Sequence, residues 1–396
     1  MQITLGTARP TVASLASLAL TALALAACAD ASSPAAPSAP GTLGGASPQR
    51  FADGDDRPGA VYTLTNAASG NGVIAFRRAA DGSLTPLGTF ATGGLGVGGG
   101  VDPLESQYAV VLDRDHEALF AVDAGSDEVS SFRVGDDGAL TLAGTIPSGG
   151  RRPVSLAVHG KLLYALNSGD NTVSGFSVTG GARLVAIPRS ARTLAAGASG
   201  AAAVRFTPDG RYLIVAERIS NRLEVFPVGA DGRLGGPVVT AGSGAASFGF
   251  DITEHNQPIV SETQGTLTSY ALAPGGALTP ITASISTGGQ APCWVTITAD
   301  GRFAYTTNAG TGTVAGFAVD AAGHLSALTP GAGTGDSGAG AAPIDLDHVG
   351  SRFLYTLEAG QGAIGTFVIG ADGALAGRPD TPAAAAASGL QGLAAF

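Results

Sequence analysis

From residue 60 onward, short stretches of the chain swap apolar and polar residues at every second position and then break into turns rich in Gly, Asp and Asn. The clearest stretch runs from Gly301 to Leu325. Phe303, Tyr305 and Thr307 alternate there with Ala304, Thr306 and Asn308, the period of two that marks a half-buried strand. Asn-Ala-Gly-Thr-Gly makes a turn, Val314 to Val319 a second strand, and Ala-Ala-Gly turns again before His324 and Leu325 open a third. Versions of this unit lie at 61–76, 119–132, 162–176, 212–226, 258–270, 303–317 and 353–367. Each is followed by a tight turn, at Asp81-Gly82, Asp137-Gly138, Gly180-Gly181, Asp231-Gly232, Gly275-Gly276, Ala322-Gly323 and Asp372-Gly373. Such pairs favour the positive φ angles of two-residue hairpins.

Most units are preceded by a further apolar strand and turn, as at 204–211 and 295–302. Four short strands recurring about every fifty residues predict an all-β, seven-bladed β-propeller of four-stranded antiparallel blades over 60–396. The first unit lacks an innermost strand of its own. The last residues, 390–396 (LQGLAAF), read as one and are expected to pair with it and close the ring, removing exposed sheet edges.

Composition narrows the function. Gly is 61 of 396 residues, roughly twice the usual share. Charged residues are 13%, net charge is -10, and Lys161 is the one lysine. With no basic stripe, no nucleic-acid partner is expected. Residues 1–27 hold Arg9 as their only charge before an apolar run, and read as a signal peptide. The run ends in Leu25-Ala26-Ala27-Cys28, which resembles a bacterial lipobox. That resemblance implies a lipidated Cys28, a membrane partner through the lipid, and a location on the bacterial cell envelope, on the periplasmic or outer-membrane side. Residues 28–59 then form a Pro/Ala/Ser/Gly linker.

The units Tyr164 to Asn167 and Tyr305 to Asn308, the Asp-Gly-Arg turns at 209–211 and 300–302, and the stretches 102–112, 206–217 and 291–308 resemble the lactonase-type seven-bladed propellers that include 6-phosphogluconolactonase. The resemblance implies a lactone-opening hydrolase. The inner-strand starts at 151–158, 199–206 and 245–252 carry no histidine, where that family's familiar enzymes have one.

If each blade runs from inner strand A through B and C to D, the D–A and B–C loops share one face and the A–B and C–D turns the other. Binding is expected on the first face. His116, His159, His255, His348 and His324 all fall towards the second, so no histidine triad or metal cluster is expected at the mouth. One alternating set of strand A is apolar: Val154, Leu156, Val204, Phe206, Phe248, Phe250, Val295, Ile297, Ile344 and Leu346. The other set, Ser155, Arg205, Asp251, Trp294, Thr296, Asp345 and Asp347, is placed towards the channel.

Arg205 and Asp251 occupy equivalent positions in adjacent blades, so a charge-assisted pair is expected. It serves either to fix two blades or to hold a substrate, with Asp251 or Asp347 as base for water. Strand B ends in Glu217, Glu262 and Glu358 where other repeats have Asn. These either tie down the next turn or, with Glu217 and Glu262 as the first pair to test, bind a divalent cation. No other cofactor is expected. Cys293 reads as a buried thiol. Few cations and an envelope location favour an unphosphorylated sugar or aromatic lactone. The readings left open are a monomeric lactonase acting through Arg205, Asp251, Glu217, Glu262 and Asp347, a non-catalytic ligand- or protein-binding propeller, and a structural envelope component.

Overall fold

Each repeat folds into a blade whose burial falls from the channel outwards. The computed structural model describes residues 57–396; the stretch read as a signal peptide, Cys28 and the expected linker as far as residue 56 lie outside the described residues. Strand B of the sixth blade, Phe303–Asn308, is buried at every position, because neighbouring blades cover both of its faces. The outermost strand of the seventh, Leu375–Pro382, is almost wholly exposed. Seven antiparallel sheets follow around the ring, and in blades 3 and 6 the outer strand is split into two short pieces. One 3₁₀ turn at Gly180–Ala182 is the only helical element among the described residues.

The repeated Tyr and the repeated Gly turn out to be one device. Tyr62 donates its hydroxyl to Gly138 O at 2.8 Å, Tyr164 to Gly232 O at 2.6 Å, Tyr305 to Gly373 O at 2.8 Å and Tyr355 to Gly82 O at 2.9 Å. In each case strand B of one blade is tied to the C–D turn of the next. The glycine sits at positive φ, 82° at Gly138 for example, a conformation that side chains rarely adopt.

Blade 1 is completed by the far end of the chain. Gln391–Ala395 pairs with Gly59–Leu64, with Val61 opposite Ala395, as the sequence predicts. Ala60 and Phe396 exchange two further backbone bonds, of 3.1 and 3.0 Å.

The inner strands depart from simple alternation. In blades 3 to 7 the A–B ladder slips near the start of strand A, between Pro292 and Val295 in blade 6 for example. A bulge of this kind switches the parity of the residues before it. Trp294 is buried, its ring edge-on against Phe248 at 5.3 Å. Cys293 is buried and unpaired, and burial pushes its thiol well above the usual range.

Candidate active site

The channel is divided by a short piece of chain. Blade 2 has an inner strand of only three residues, Val110–Leu112, because the residues before it cross the centre of the ring. Ser106 Oγ donates to Val154 O at 2.8 Å, and Ser106 O accepts from Trp294 Nε1 at 2.8 Å. Gln107 Nε2 donates to Val295 O at 2.7 Å, and Tyr108 Oη to Phe250 O at 2.7 Å. Gln107 N and Tyr108 O bond to Ala202 and Leu156. Three residues of blade 2 thus reach blades 3, 4, 5 and 6. Glu105 and Tyr108 take positive φ, 50° and 68°, to make the bends. Gly249 makes room for the crossing: a Cβ there would stand 2.3 Å from Gln107 Oε1.

Open space remains on the A–B side of Tyr108. A cavity of about 670 Å³ is bounded there by Tyr108, Arg205, Asp347, His348 and the A–B turn of blade 2 with Arg114 and His116. The closing residues Leu393 to Phe396 form another wall. A second hollow of about 420 Å³ shares Arg114 and Arg205 and reaches His159. The cavity thus lies on the A–B side, whereas binding was expected on the D–A and B–C side. The crossing segment fills the channel towards the latter side, while His116 and His348 lie in the cavity wall, His159 in the second hollow and His255 at a separate one.

Arg205 projects from strand A of blade 4, Ala201–Phe206. Its Nε lies 2.8 Å from Asp251 Oδ1 and its guanidinium stacks 4.7 Å above the Tyr108 ring. Its side chain is 40% exposed to the cavity, against 6% for Asp251. Burial disfavours its charge, but Asp251, Tyr108 and Asp347 outweigh that and hold it protonated.

Asp251 is fully engaged. Oδ1 also accepts from Ile252 N at 2.7 Å, and Oδ2 from Ile297 N of the next blade at 3.0 Å. Asp345 and Asp347 repeat this pattern across the closing seam, accepting from Leu393 N at 3.2 Å and Ala395 N at 2.9 Å. Ser155 Oγ accepts from Val204 N at 3.0 Å. These side chains cap inner-edge amides that have no strand beside them. Sequence reasoning gave these residues a place but missed this service, since it depends on which amides the channel leaves bare.

Asp347 remains 29% exposed at the cavity wall, with His348 Nδ1 3.6 Å from its Oδ1 and 2.8 Å from Thr296 Oγ1. Burial raises the Asp347 carboxyl above its ordinary range, against the pull of His348 and two amides. Burial lowers His116, whose ring stacks on Phe396 at 4.8 Å, and keeps it neutral. Arg78 is spent on backbone, with Nε to Phe396 O at 2.9 Å and Nη2 to Arg57 O at 2.6 Å.

Glu217 and Glu262 are not brought to Arg205. Both end strand B on the opposite face, are fully buried, and are closed within their own blades. Glu217 takes Arg222 Nε at 3.0 Å, Ser220 Oγ at 2.5 Å and Ser199 N at 3.1 Å. Glu262 takes Thr266 Oγ1 at 2.5 Å, Thr268 Oγ1 at 2.6 Å, Ser284 Oγ at 3.0 Å and Gly244 N at 2.7 Å. Neither shares a hydrogen-bond partner with the other. No group of three or more His, Cys, Asp or Glu able to hold a metal occurs among the described residues.

A family model described as a seven-bladed β-propeller lactonase matches residues 106–254 and 252–342. The 6-phosphogluconolactonase of Yersinia pestis is 26% identical over 142 residues, 34% of this chain and 42% of that protein, so the match spans about two fifths of the relative's length. Among solved structures, the periplasmic gluconolactonase of Pseudomonas aeruginosa superposes with a TM-score of 0.67 at 20% identity, covering 84% of this chain and 98% of that one. A protein from Lactobacillus plantarum gives 0.68 at 18% identity, covering 86% and 99%. At these identities the structural likeness is one of fold.

Proposed function

We propose, for a chain that belongs to the seven-bladed β-propeller lactonase family, that the cavity on the A–B side of the channel hydrolyses a lactone. The observation that carries this reading is the meeting of Arg205, Asp347 and His348 around one cavity of about 670 Å³. That volume suits a small ligand. Arg205, pinned by Asp251 and stacked on Tyr108, directs its outer nitrogens at the lactone carbonyl oxygen and stabilises the charge that develops there. A water adds to the carbonyl carbon and gives its proton to the Asp347 carboxylate, whose raised affinity for protons makes it the stronger base when ionised. The ring C–O bond then breaks, the departing alkoxide takes a proton back, and a hydroxy acid leaves. Asp251 is a positioning residue, because both of its oxygens are already in use.

An unphosphorylated sugar or aromatic lactone fits best. That preference rests on the proposed envelope location, since a phosphorylated sugar lactone is a cytosolic metabolite; the cavity wall itself carries Arg57, Arg78, Arg114 and Arg205 beside Asp113 and Asp347. The protein is further assigned to the bacterial cell envelope through lipid on Cys28, a reading supported by the lipobox resemblance. Fatty-acid labelling should be lost in Cys28→Ala, and label retained there would sink it.

The purified protein should open unphosphorylated lactones faster than their phosphorylated counterparts, above the spontaneous rate. Arg205→Ala should lower kcat/KM by roughly 100-fold or more. If no lactone is opened, or if Arg205→Ala is as active as the parent, the hydrolase reading fails. A ligand- or protein-binding propeller, favoured by the structural duties of Asp251 and Asp347, then takes its place.

A further inference from the structure

Strand B ends in a buried glutamate in blades 5 and 7, and the two blades treat it differently. In blade 5, Glu262 receives three hydroxyl donors and one amide, as described above. The strand registers are the same in both blades: Val260 pairs with Thr268 as Thr356 pairs with Gly365, and Leu267 pairs with Ile285 as Ile364 pairs with Thr381. Ala363, Gly365 and Asp380 therefore stand where blade 5 has Thr266, Thr268 and Ser284. Three hydroxyls have become a methyl, a hydrogen and a carboxylate.

The consequence falls on Glu358, which is fully buried. Oε1 receives only Thr356 Oγ1, at 3.3 Å, and Oε2 has no hydrogen-bond donor. Gly365 permits this pose, since a Cβ there would stand 2.3 Å from Oε1. The Asp380 carboxyl lies against Glu358, and Ser337, from the loop that enters blade 7, stands beside it. Ser337 Oγ is itself buried and short of a well-formed hydrogen bond. Arg378, on the strand that carries Asp380, is committed elsewhere, donating to Asp81 O at 2.5 Å. A buried carboxylate oxygen without a donor, facing a second carboxylate, lacks a positive charge beside it, and such an arrangement is costly.

We propose that Glu358, Asp380 and Ser337 form a binding site for a hard divalent cation, calcium or magnesium, on the face of the ring opposite the Arg205 cavity. The donors are all oxygen, with no histidine or thiolate, which selects such ions over zinc. Asp380 is exposed, so waters can complete the coordination shell. The cation supplies what the hydroxyls supply in blade 5, and braces the blade beside the closing seam. The proposal is independent of the lactonase reading.

Calcium or magnesium chloride, added singly to chelator-treated protein, tests it by calorimetry and thermal melting. At a hundredfold excess over Kd, the melting temperature should rise by about 4 °C. Asp380→Asn, a change at an exposed position, and the nearly isosteric Glu358→Gln should both abolish binding and shift. Asp136→Asn, on a distant turn, should keep both. Absence of binding by the parent protein overturns the proposal, as does unchanged affinity in Asp380→Asn. If neither cation shifts the melting temperature, while acid stabilises the parent between pH 7.5 and 5.5 and Glu358→Gln loses that effect, the two carboxyls hold a shared proton and no cation.

Discussion

At the A–B end of the channel, Arg205, Asp347 and His348 border open space. At the other end, Asp123, Glu217 and Glu262 carry the same kinds of group but are closed over. Asp123 alone accepts from Asn71 at 2.9 Å, Thr92 at 2.6 Å and Ser130 at 2.5 Å. The difference is one of position within the repeat. The end of strand B recurs in each blade, and in blades 2, 4 and 5 it is surrounded by donors. These come from its own blade and the connection entering it at Glu217 and Glu262, and partly from blade 1 at Asp123. The end of strand A faces the channel, where one side is solvent and the amides of the neighbouring strand are bare. In blades 2, 4 and 5 an acidic residue in the first place is spent on local structure; Glu358 of blade 7 is the exception. In the second place such a residue staples two blades and still presents a face to a ligand.

The contrast can be broken most severely at the seam. Removing Leu390 to Phe396 strips blade 1 of its inner strand, Asp347 of its amide partner and the cavity of one wall. Cooperative thermal unfolding should be lost; a truncated protein that melts like the parent would refute the closure. A sharper dissection compares single changes on the two faces. Arg205→Ala should cost roughly 100-fold in kcat/KM while leaving the melting temperature within a few degrees. Glu262→Gln should do the reverse, removing charge-assisted hydrogen bonds at a cost of about 2 kcal/mol in denaturant unfolding with activity retained. Gly249→Ala tests the divider between the faces. Its methyl meets Gln107, and overpacking of this kind costs about 1–3 kcal/mol, read as a lower urea midpoint.

The smallest effect expected is a pH dependence of stability. Burial, then Asp380, push Glu358 up to about 7 from an ordinary 4.5, so the native state binds its proton more tightly than the unfolded chain does. The stability this contributes is complete below about 4.5 and is lost as pH rises towards 7. Metal-free protein should therefore melt lower at pH 7.5 than at pH 5, by a degree or two. Glu358→Gln should flatten the trend in part, since burial pushes Asp102 and Glu224 to about 7 as well.

The ring was legible because its signals are local. Alternation in Phe303 to Asn308, the Gly turns, and the orphan strand in LQGLAAF need no knowledge of distant residues. Arg205 and Asp251 were found together because repeats can be aligned by eye. Three features stayed hidden. The covering of Trp294 by Ser106 depends on chain from another blade. The crossing at Ser106 to Tyr108 depends on partners as distant in sequence as Val295, and it decides which end of the channel is open. The donors lost around Glu358 were present in the repeats, at Ala363, Gly365 and Asp380, and are visible only once strands C and D are compared position by position.

The seam between Val61 and Ala395 also sets an order of events. Strand Gly59–Leu64 is among the first parts of the propeller to be synthesised, yet its inner edge stays unpaired until Gln391–Ala395 has been added. Contacts this distant in sequence form late and slowly. A growing chain therefore carries an open sheet edge while all the other blades are made, the kind of surface on which chains associate wrongly. Seven blades complete in themselves would have met that hazard one blade at a time; this architecture defers it to a single final step.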